Sequence, residues 1–284
     1  MNFSSPKASI FVPDGTPEER ALQRISHLGI GAHQDDLEIM AFHGIAACYE
    51  NPDHWFGAVI CTAGGGSPRS GAYAECADDE MAAIRKAEQE KAAAVGEYGV
   101  LIQLGHPSEA VKDPKNPSLV RDLDRIFASC RPEIVYTHNP ADKHPTHVAT
   151  VLAVLDALRR LPPDRRPRRV LGCEVWRALD WLDDADKVPL DVGGRAGLAV
   201  ALVNVFESQI AGGKRYDLAT VGRRRANASY FRSHGTDEAE EISFAMELTP
   251  LVADPRRDIA AFVLDHIEKF KADVAAKIKA FSRS

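Results

Sequence analysis

The amino-acid sequence predicts an α/β chain built on a doubly wound, mostly parallel sheet with helices on both faces and a C-terminal α+β extension. Three observations carry this. Short β-rich runs alternate with longer helical patterns through the first two-thirds of the chain, as in successive βαβ units. The chain has 284 residues, 45% of them hydrophobic, enough for a sizeable buried core. The last third changes character, with a helical pattern, an alternating strand-like run and a long amphipathic helix. The chain is expected to be one domain over 1–284, with a core over about 24–206 and an extension over about 207–284.

The β-rich runs are His27 to Ala32, Gly57 to Thr62, Val100 to Leu104 and Glu133 to Thr137. Helical patterns cover Asp36 to Glu50, Asp78 to Tyr98, Leu119 to Cys130 and Pro145 to Arg160. In the second of these, Met81, Ile84, Ala87, Ala94 and Val95 approximate a 3.6-residue stripe flanked by charge. Leu161 to Arg169, with its prolines and arginines, reads as an exposed connection. Val170 to Trp176 and Leu198 to Phe206 are apolar runs that suggest two more strands, separated by an acidic stretch and Gly193-Gly194. A helical pattern over Tyr216 to Phe231, a strand-like run over Glu241 to Leu248 and a helix from about Arg256 to Phe281 complete the chain. This order of elements is Rossmann-like.

The formal net charge of −6 offers no broad attraction to phosphate backbones or anionic lipid, so nucleic acid is not an expected partner. The five cysteines are scattered and never form C-x-x-C, which argues for free thiols in a reducing compartment. The first residues lack a secretory apolar stretch, and the longest apolar run, Leu198 to Val203, is far below the roughly 20 residues of a membrane span. A cytoplasmic location is expected, and a homo-oligomer is compatible with all of this.

In a doubly wound sheet, ligands gather beyond the carboxyl ends of the strands where strand order reverses. In a 3-2-1-4-5 order the first and fourth of the runs above are neighbours. The first leads into His33, Asp35 and Asp36, the fourth through Asp142 into His144 and His147. Imidazole and carboxylate are zinc donors, and a catalytic zinc keeps three protein ligands with one open position. Pro145 suits a first helical position, and His144 and His147, three apart, lie on one face of that helix. Taken alone, Asp35 followed by Glu38 also reads as an ordinary helix start. His27, His43, His54, His106 and His234 are given no metal role.

At these residues the chain closely resembles the LmbE-like, or PIG-L, family of metal-dependent N-deacetylases, whose hallmarks are an A-H-P-D-D-x-E segment and a later H-P-D-H segment. Here they read Ala32-His33-Gln34-Asp35-Asp36-Leu37-Glu38 and His144-Pro145-Thr146-His147, and the order of elements is similar from about Ser26 to Phe206. The resemblance implies that His33, Asp36 and His147 bind the metal, Zn2+ or another divalent ion, that Asp35 is the general base, and that His144 stabilises the oxyanion. It also implies the substrate class, a small N-acetylated sugar or glycoconjugate of the N-acetylglucosamine type. Arg85 resembles the arginine of the family's R-x-x-E helix and would contact the sugar; a solvated helix charge is the alternative.

Two positions depart from the family pattern. Gln34 stands for the usual proline, and Thr146 for the aspartate beside the first histidine, so His144 is expected to have a lower pKa than in relatives unless Asp142 takes over. A catalytically weak sugar-binding homologue and a metallohydrolase for a non-sugar amide or ester remain as other readings. The run Thr62 to Ser67 lacks the Walker lysine, so it reads as a cleft rim or plain loop, not a nucleotide site. Ser208 reads as a helix cap, Arg223-Arg224-Arg225 as a solvated face, and Glu38 as part of the helix start.

Overall fold

The computed structural model describes residues 1–283. Eight strands form one sheet: β1 (Ser9–Phe11), β2 (His27–Gly31), β3 (Phe56–Thr62), β4 (Val100–His106), β5 (Ile134–His138), β6 (Arg169–Cys173), β7 (Lys187–Asp191) and β8 (Ile242–Glu247). Their order is β1-β4-β3-β2-β5-β6-β8-β7. The five strands from β4 to β6 run parallel, in the doubly wound order expected, with β2 and β5 side by side at the reversal. β1 joins β4 antiparallel, and β8 runs antiparallel to both β6 and β7. The C-terminal extension therefore supplies a strand that sits inside the sheet, between two strands made earlier.

Twelve helices accompany the sheet: α1 (Glu18–Gln23), α2 (Asp36–Met40), α3 (Phe42–Cys48), α4 (Asp78–Val95), α5 (Ser108–Lys112), α6 (Ser118–Ser129), α7 (Pro145–Arg160), α8 (Ala196–Asn204), α9 (Glu207–Ile210), α10 (Tyr216–Tyr230), α11 (Thr249–Ala253) and α12 (Ile259–Phe281). Side-chain alternation along the strands separates two apolar layers. Val59 and Cys61 of β3 and Ile102 of β4 pack with Leu123 and Ile126 of α6 and Leu155 of α7. Phe56, Ala58 and Ile60 of β3 face the other way, with Phe42 of α3 and Leu202 of α8. Every residue of β2, β3 and β4 is buried, as a sheet covered on both faces requires. Among the described residues no helix is long and apolar enough to cross a membrane.

β1, α1, α5 and α11 have no counterpart in the sequence reading, and three further differences have a plain physical reason. The helix expected over Asp36 to Glu50 breaks at Ala41 into α2 and α3. The guanidinium of Arg224 explains the break, because Nη2 donates to Glu38 O (2.9 Å) and Ile39 O (3.1 Å), the carbonyls that a continuous helix would give to residues 42 and 43. The run Leu198 to Phe206, expected as a strand, lies in α8 and the turn after it. Its buried positions are Ala199, Leu202, Val203, Val205 and Phe206, of which Ala199, Leu202, Val203 and Phe206 recur at helical spacing, and a short apolar run does not by itself separate the two structures. β7 has no counterpart in the sequence reading, because Pro189 sits within it; the position is permitted since β7 is an edge strand.

Candidate functional site

Since β2 and β5 are neighbours, the chain segments leaving their carboxyl ends meet. His33, Gln34 and Asp35 follow β2, and Asp36 opens α2. Asn139 to Lys143 follow β5, and His144 caps α7, with Pro145 at its first position. The structure thus brings His33, Asp36, His144 and His147 together.

Donor atoms of three of these lie close together, with both oxygens of Asp36 taking part. His33 Nδ1 lies 3.4 Å from Asp36 Oδ2 and 3.2 Å from His147 Nε2, and His147 Nε2 lies 3.3 Å from Asp36 Oδ1. Ligands at 2.0–2.2 Å around a tetrahedral ion stand about 3.3–3.6 Å apart, so each of these donor pairs is spaced much as two ligands of one zinc are. The opposite nitrogen of His147, Nδ1, faces Asp142 Oδ2 at 3.6 Å, an arrangement that orients a metal-binding imidazole. Both observations fit a divalent metal held by His33, Asp36 and His147. Burial would raise the pKa of Asp36, but His147 and His138 beside it prevail and hold it well below the carboxylate range.

His138 is a residue the sequence reading passed over. Its Nε2 lies 3.3 Å from Asp36 Oδ2 and accepts the Ala32 N–H at 2.9 Å, while its ring stacks on His147 at 3.8 Å. Two groups of three convergent donors are present among the described residues, His33 with His144 and His147, and Asp36 with His138 and His147, so His138 and His144 flank the same cluster. The place of His138 at the carboxyl end of a strand beside the reversal was the available signal.

Asp35 is 6% exposed and adopts a left-handed backbone, φ 89°. It occupies the N-cap position, yet its side chain makes no capping hydrogen bond. Its Oδ2 accepts from Arg85 Nη2 at 3.1 Å, and its N–H donates to Gln89 Oε1 at 3.2 Å. Burial raises its pKa to about 8, against the pull of Arg85 and with the added push of Asp36. Glu38 lies in the first turn of α2, as expected, but its side chain is turned to other partners. Its Oε1 accepts from Gln89 Nε2 and Tyr98 OH, each at 2.7 Å, and burial raises its pKa to about 7 against those two bonds. Tyr98, Glu38 and Gln89 form a buried chain that ends on the Asp35 backbone. No sequence signal marks Gln89 or Tyr98 for this.

His144 stands with its ring 4.9 Å from that of His33 and 4.7 Å from that of His147. Its Nδ1 accepts the Thr146 N–H at 3.3 Å, which leaves the hydrogen of the neutral ring on Nε2. Burial, then His33 and His147, lower its pKa to about 4. Asp142 does not take the place of the missing aspartate. One of its oxygens faces His147, and its other accepts the His144 backbone N–H at 3.0 Å.

Arg85 is buried, not a solvated helix charge. Besides Asp35 it donates to Gln34 O at 2.5 Å and Gly64 O at 3.3 Å. Gln34 spans the strand ends, donating to Thr62 O and Gln103 Oε1, and a Cβ on Gly64 would meet its Oε1 at 2.2 Å; only glycine fits there, at φ +73°. Ser208 donates through both N and Oγ to Glu88 at 2.7 Å, tying α9 to α4. Of the arginine triplet, Arg224 is buried at 2% exposure, over the Phe42 ring at 4.6 Å.

A cleft of about 340 Å³ opens above this centre. His33, Asp35 and His144 line its floor, Gly66 and Pro68 from the glycine-rich loop line one side, and Trp176 and Tyr216 line another. Those two rings meet edge to face at 6.3 Å. The arrangement sets side chains able to hold a metal, a held carboxylate and a neutral imidazole around one opening, groups of the kind used in hydrolysis by activated water.

Residues 28–158 match the family described as PIG-L: GlcNAc-PI de-N-acetylase. The fold is similar to that of TT1542, a conserved protein of Thermus thermophilus, at 18% identity and TM-score 0.59, covering 82% of this chain and 99% of that one. It is similar to N,N'-diacetylchitobiose deacetylase from Pyrococcus horikoshii at 17% identity and TM-score 0.56, covering 82% and 88%. It is also similar to GalB, the 4-carboxy-2-hydroxymuconate hydratase of Pseudomonas putida, at 15% identity and TM-score 0.57, covering 79% and 96%. No match was found among curated proteins.

Proposed function

We propose that this chain, which carries a PIG-L family domain over residues 28–158, is a metal-dependent hydrolase that removes the N-acetyl group of an N-acetylglucosamine-type sugar or glycoconjugate. The observation that carries the reading is the convergence of His33, Asp36 and His147, whose donor atoms pair at 3.2–3.4 Å, beside Asp35 and His144 in one cleft. The metal, zinc in the first instance, would supply Lewis acidity when bound, acidifying water and polarising an amide carbonyl.

The chain's own groups then have distinct work. Asp35 accepts the proton of the attacking water. Burial alone holds it protonated near neutral pH, and a dication at the adjacent triad favours the carboxylate form it needs. Arg85 fixes its carboxylate and Gln89 its backbone, so the base is aimed before substrate arrives. His144, neutral, presents Nε2–H to the oxygen of the tetrahedral species, and the proton gained by Asp35 passes to the departing amine nitrogen. Trp176 and Tyr216 supply an apolar wall of the kind that receives the C–H face of a pyranose. The family description and the chitobiose deacetylase neighbour support the sugar as substrate class.

The test is acetate release from a panel of N-acetylated sugars, N-acyl amines and acetate esters, by the zinc-loaded protein and by the protein after chelation. Release from N-acetyl sugars that is lost on chelation and regained with zinc is the expected result. Release confined to esters or non-sugar amides would overturn the substrate class, and undiminished release after chelation would overturn the metal.

A further inference from the structure

Gln209 of α9 is 2% exposed and lines the cleft together with His33, Asp35 and His144, yet it has no part in the chemistry above. Its amide is held at one end. Nε2 donates to Ser208 Oγ at 3.0 Å and to Ser67 Oγ at 3.3 Å, which uses both of its hydrogens. Oε1 accepts no hydrogen bond among the described residues and keeps contact with the open cleft.

The bonds behind the amide decide which of its ends faces the cleft. Ser208 donates through N and Oγ to the two oxygens of Glu88, each at 2.7 Å, the short bonds that a carboxylate accepts. With its own hydrogen given to Glu88, Ser208 Oγ can only accept from Gln209. The atom beside it is therefore the amide nitrogen, and the free end is the carbonyl oxygen. The same wall is tied to the glycine-rich loop, because Ser67 takes the second hydrogen of Nε2 and Ser70 Oγ donates to Ala211 O at 3.2 Å. The acceptor is thus in place before a ligand arrives.

An acceptor covered by a ligand and left without a donor is unfavourable. A hydroxyl relieves it, whereas a carboxylate, an ionised phosphate or an ester oxygen, which only accept, do not. We infer that Gln209 is a specificity-determining residue, whose Oε1 accepts a hydrogen bond from a free ring hydroxyl of the N-acetyl sugar. Glu88 and Ser208 are the positioning residues that keep the amide in that sense. The inference rests on the sugar-deacetylase reading above and adds a condition to it. A sugar whose corresponding hydroxyl is missing or acylated leaves Oε1 unpaired, and its kcat/KM falls by about 10- to 100-fold.

The experiment is kcat/KM for acetate release from the N-acetylglucosamine compound that wild type hydrolyses fastest, and from its 3-deoxy, 4-deoxy and 6-deoxy analogues. Wild type and variants are zinc-loaded, with far-UV circular dichroism to confirm folding. Wild type should lose about 10- to 100-fold on one analogue. Gln209→Met keeps the length of the side chain and removes its acceptor, so it should lose that factor on the parent sugar and nothing further on that analogue. Ser208→Ala, which frees the amide to turn, should weaken the discrimination while leaving kcat on the analogue within about threefold of wild type, a split that a damaged fold would not give. A wild type indifferent to all three analogues would overturn the inference and leave the deacetylase reading standing. So would a Gln209→Met variant that penalises the analogue as strongly as wild type does. No acetate from any N-acetyl sugar would overturn both. The comparison of analogues on wild type stands even if a variant does not fold.

Discussion

Replacing Asp35 by asparagine separates the base from the metal site in a way the backbone permits. At φ 89° an ordinary L-residue is strained by roughly 1–2 kcal/mol, but asparagine, like aspartate, tolerates this region, whereas Asp35→Ala would mix strain with chemistry. The asparagine oxygen can still accept from Arg85, which also keeps its bonds to Gln34 O and Gly64 O, and the backbone bond to Gln89 is untouched. Deleting the negative charge weakens a buried ion pair but also removes a carboxylate whose ionisation burial opposes, so the two effects on stability offset within about 2 kcal/mol. What remains is the loss of the proton acceptor, about 10²–10⁴-fold in rate. Asp35→Asn should therefore lower kcat for acetate release by that factor, leave KM within about threefold, and bind zinc as wild type does, because Asp35 belongs to neither group of convergent donors. Steady-state kinetics with metal analysis measures all three. Release at the wild-type rate, or loss of the zinc, would refute the assignment of Asp35.

Two further predictions concern the frame around the site. Burial and the neighbouring His54 and His43 hold the pKa of His27 down at about 4, below its unfolded value near 6.5, so the native state takes up this proton later than the unfolded chain as pH falls. Its contribution, at most about 3 kcal/mol, is complete above pH 6.5 and is lost between there and pH 4, so His27→Gln should flatten the decline of Tm from pH 7 to pH 4.5; an equal decline in both proteins would contradict this. Arg224→Met keeps the aliphatic stem but leaves Glu38 O and Ile39 O without their donor and ends the contact over Phe42, which should destabilise the fold by about 2–4 kcal/mol in urea titration and weaken zinc binding through α2; an unchanged midpoint would show that these contacts carry no weight.

The layout of the parallel core was legible because its strands are short apolar runs between amphipathic helices, and the reversal between β2 and β5 followed from their order. The four residues that converge there were legible for the same reason, since each sits at a strand end or helix start. What escaped the sequence is set by tertiary contact. Arg224 reads as one of three solvated arginines until its guanidinium is seen taking two carbonyls of α2. Taken alone, Asp35 and Glu38 also read as an ordinary helix start, and only the fold points one side chain toward Arg85 and the other toward Gln89 and Tyr98. The run after Leu198 carries apolar residues that suit a strand as well as a helix, and only the face it buries decides.

The position of β8 bears on how the chain comes off the ribosome. β7 has no neighbour in the sheet other than β8, and β6 has its outer edge closed by β8 as well. Until Ile242 to Glu247 have been made, a nascent chain holds an open strand edge on β6 and a stretch at Lys187–Asp191 with nothing to pair with. Such edges recruit strands from other molecules. Synthesis that pauses before residue 242 is thus the point at which this protein is most exposed to aggregation, although His33, Asp36 and His147 have by then been in the chain for almost a hundred residues.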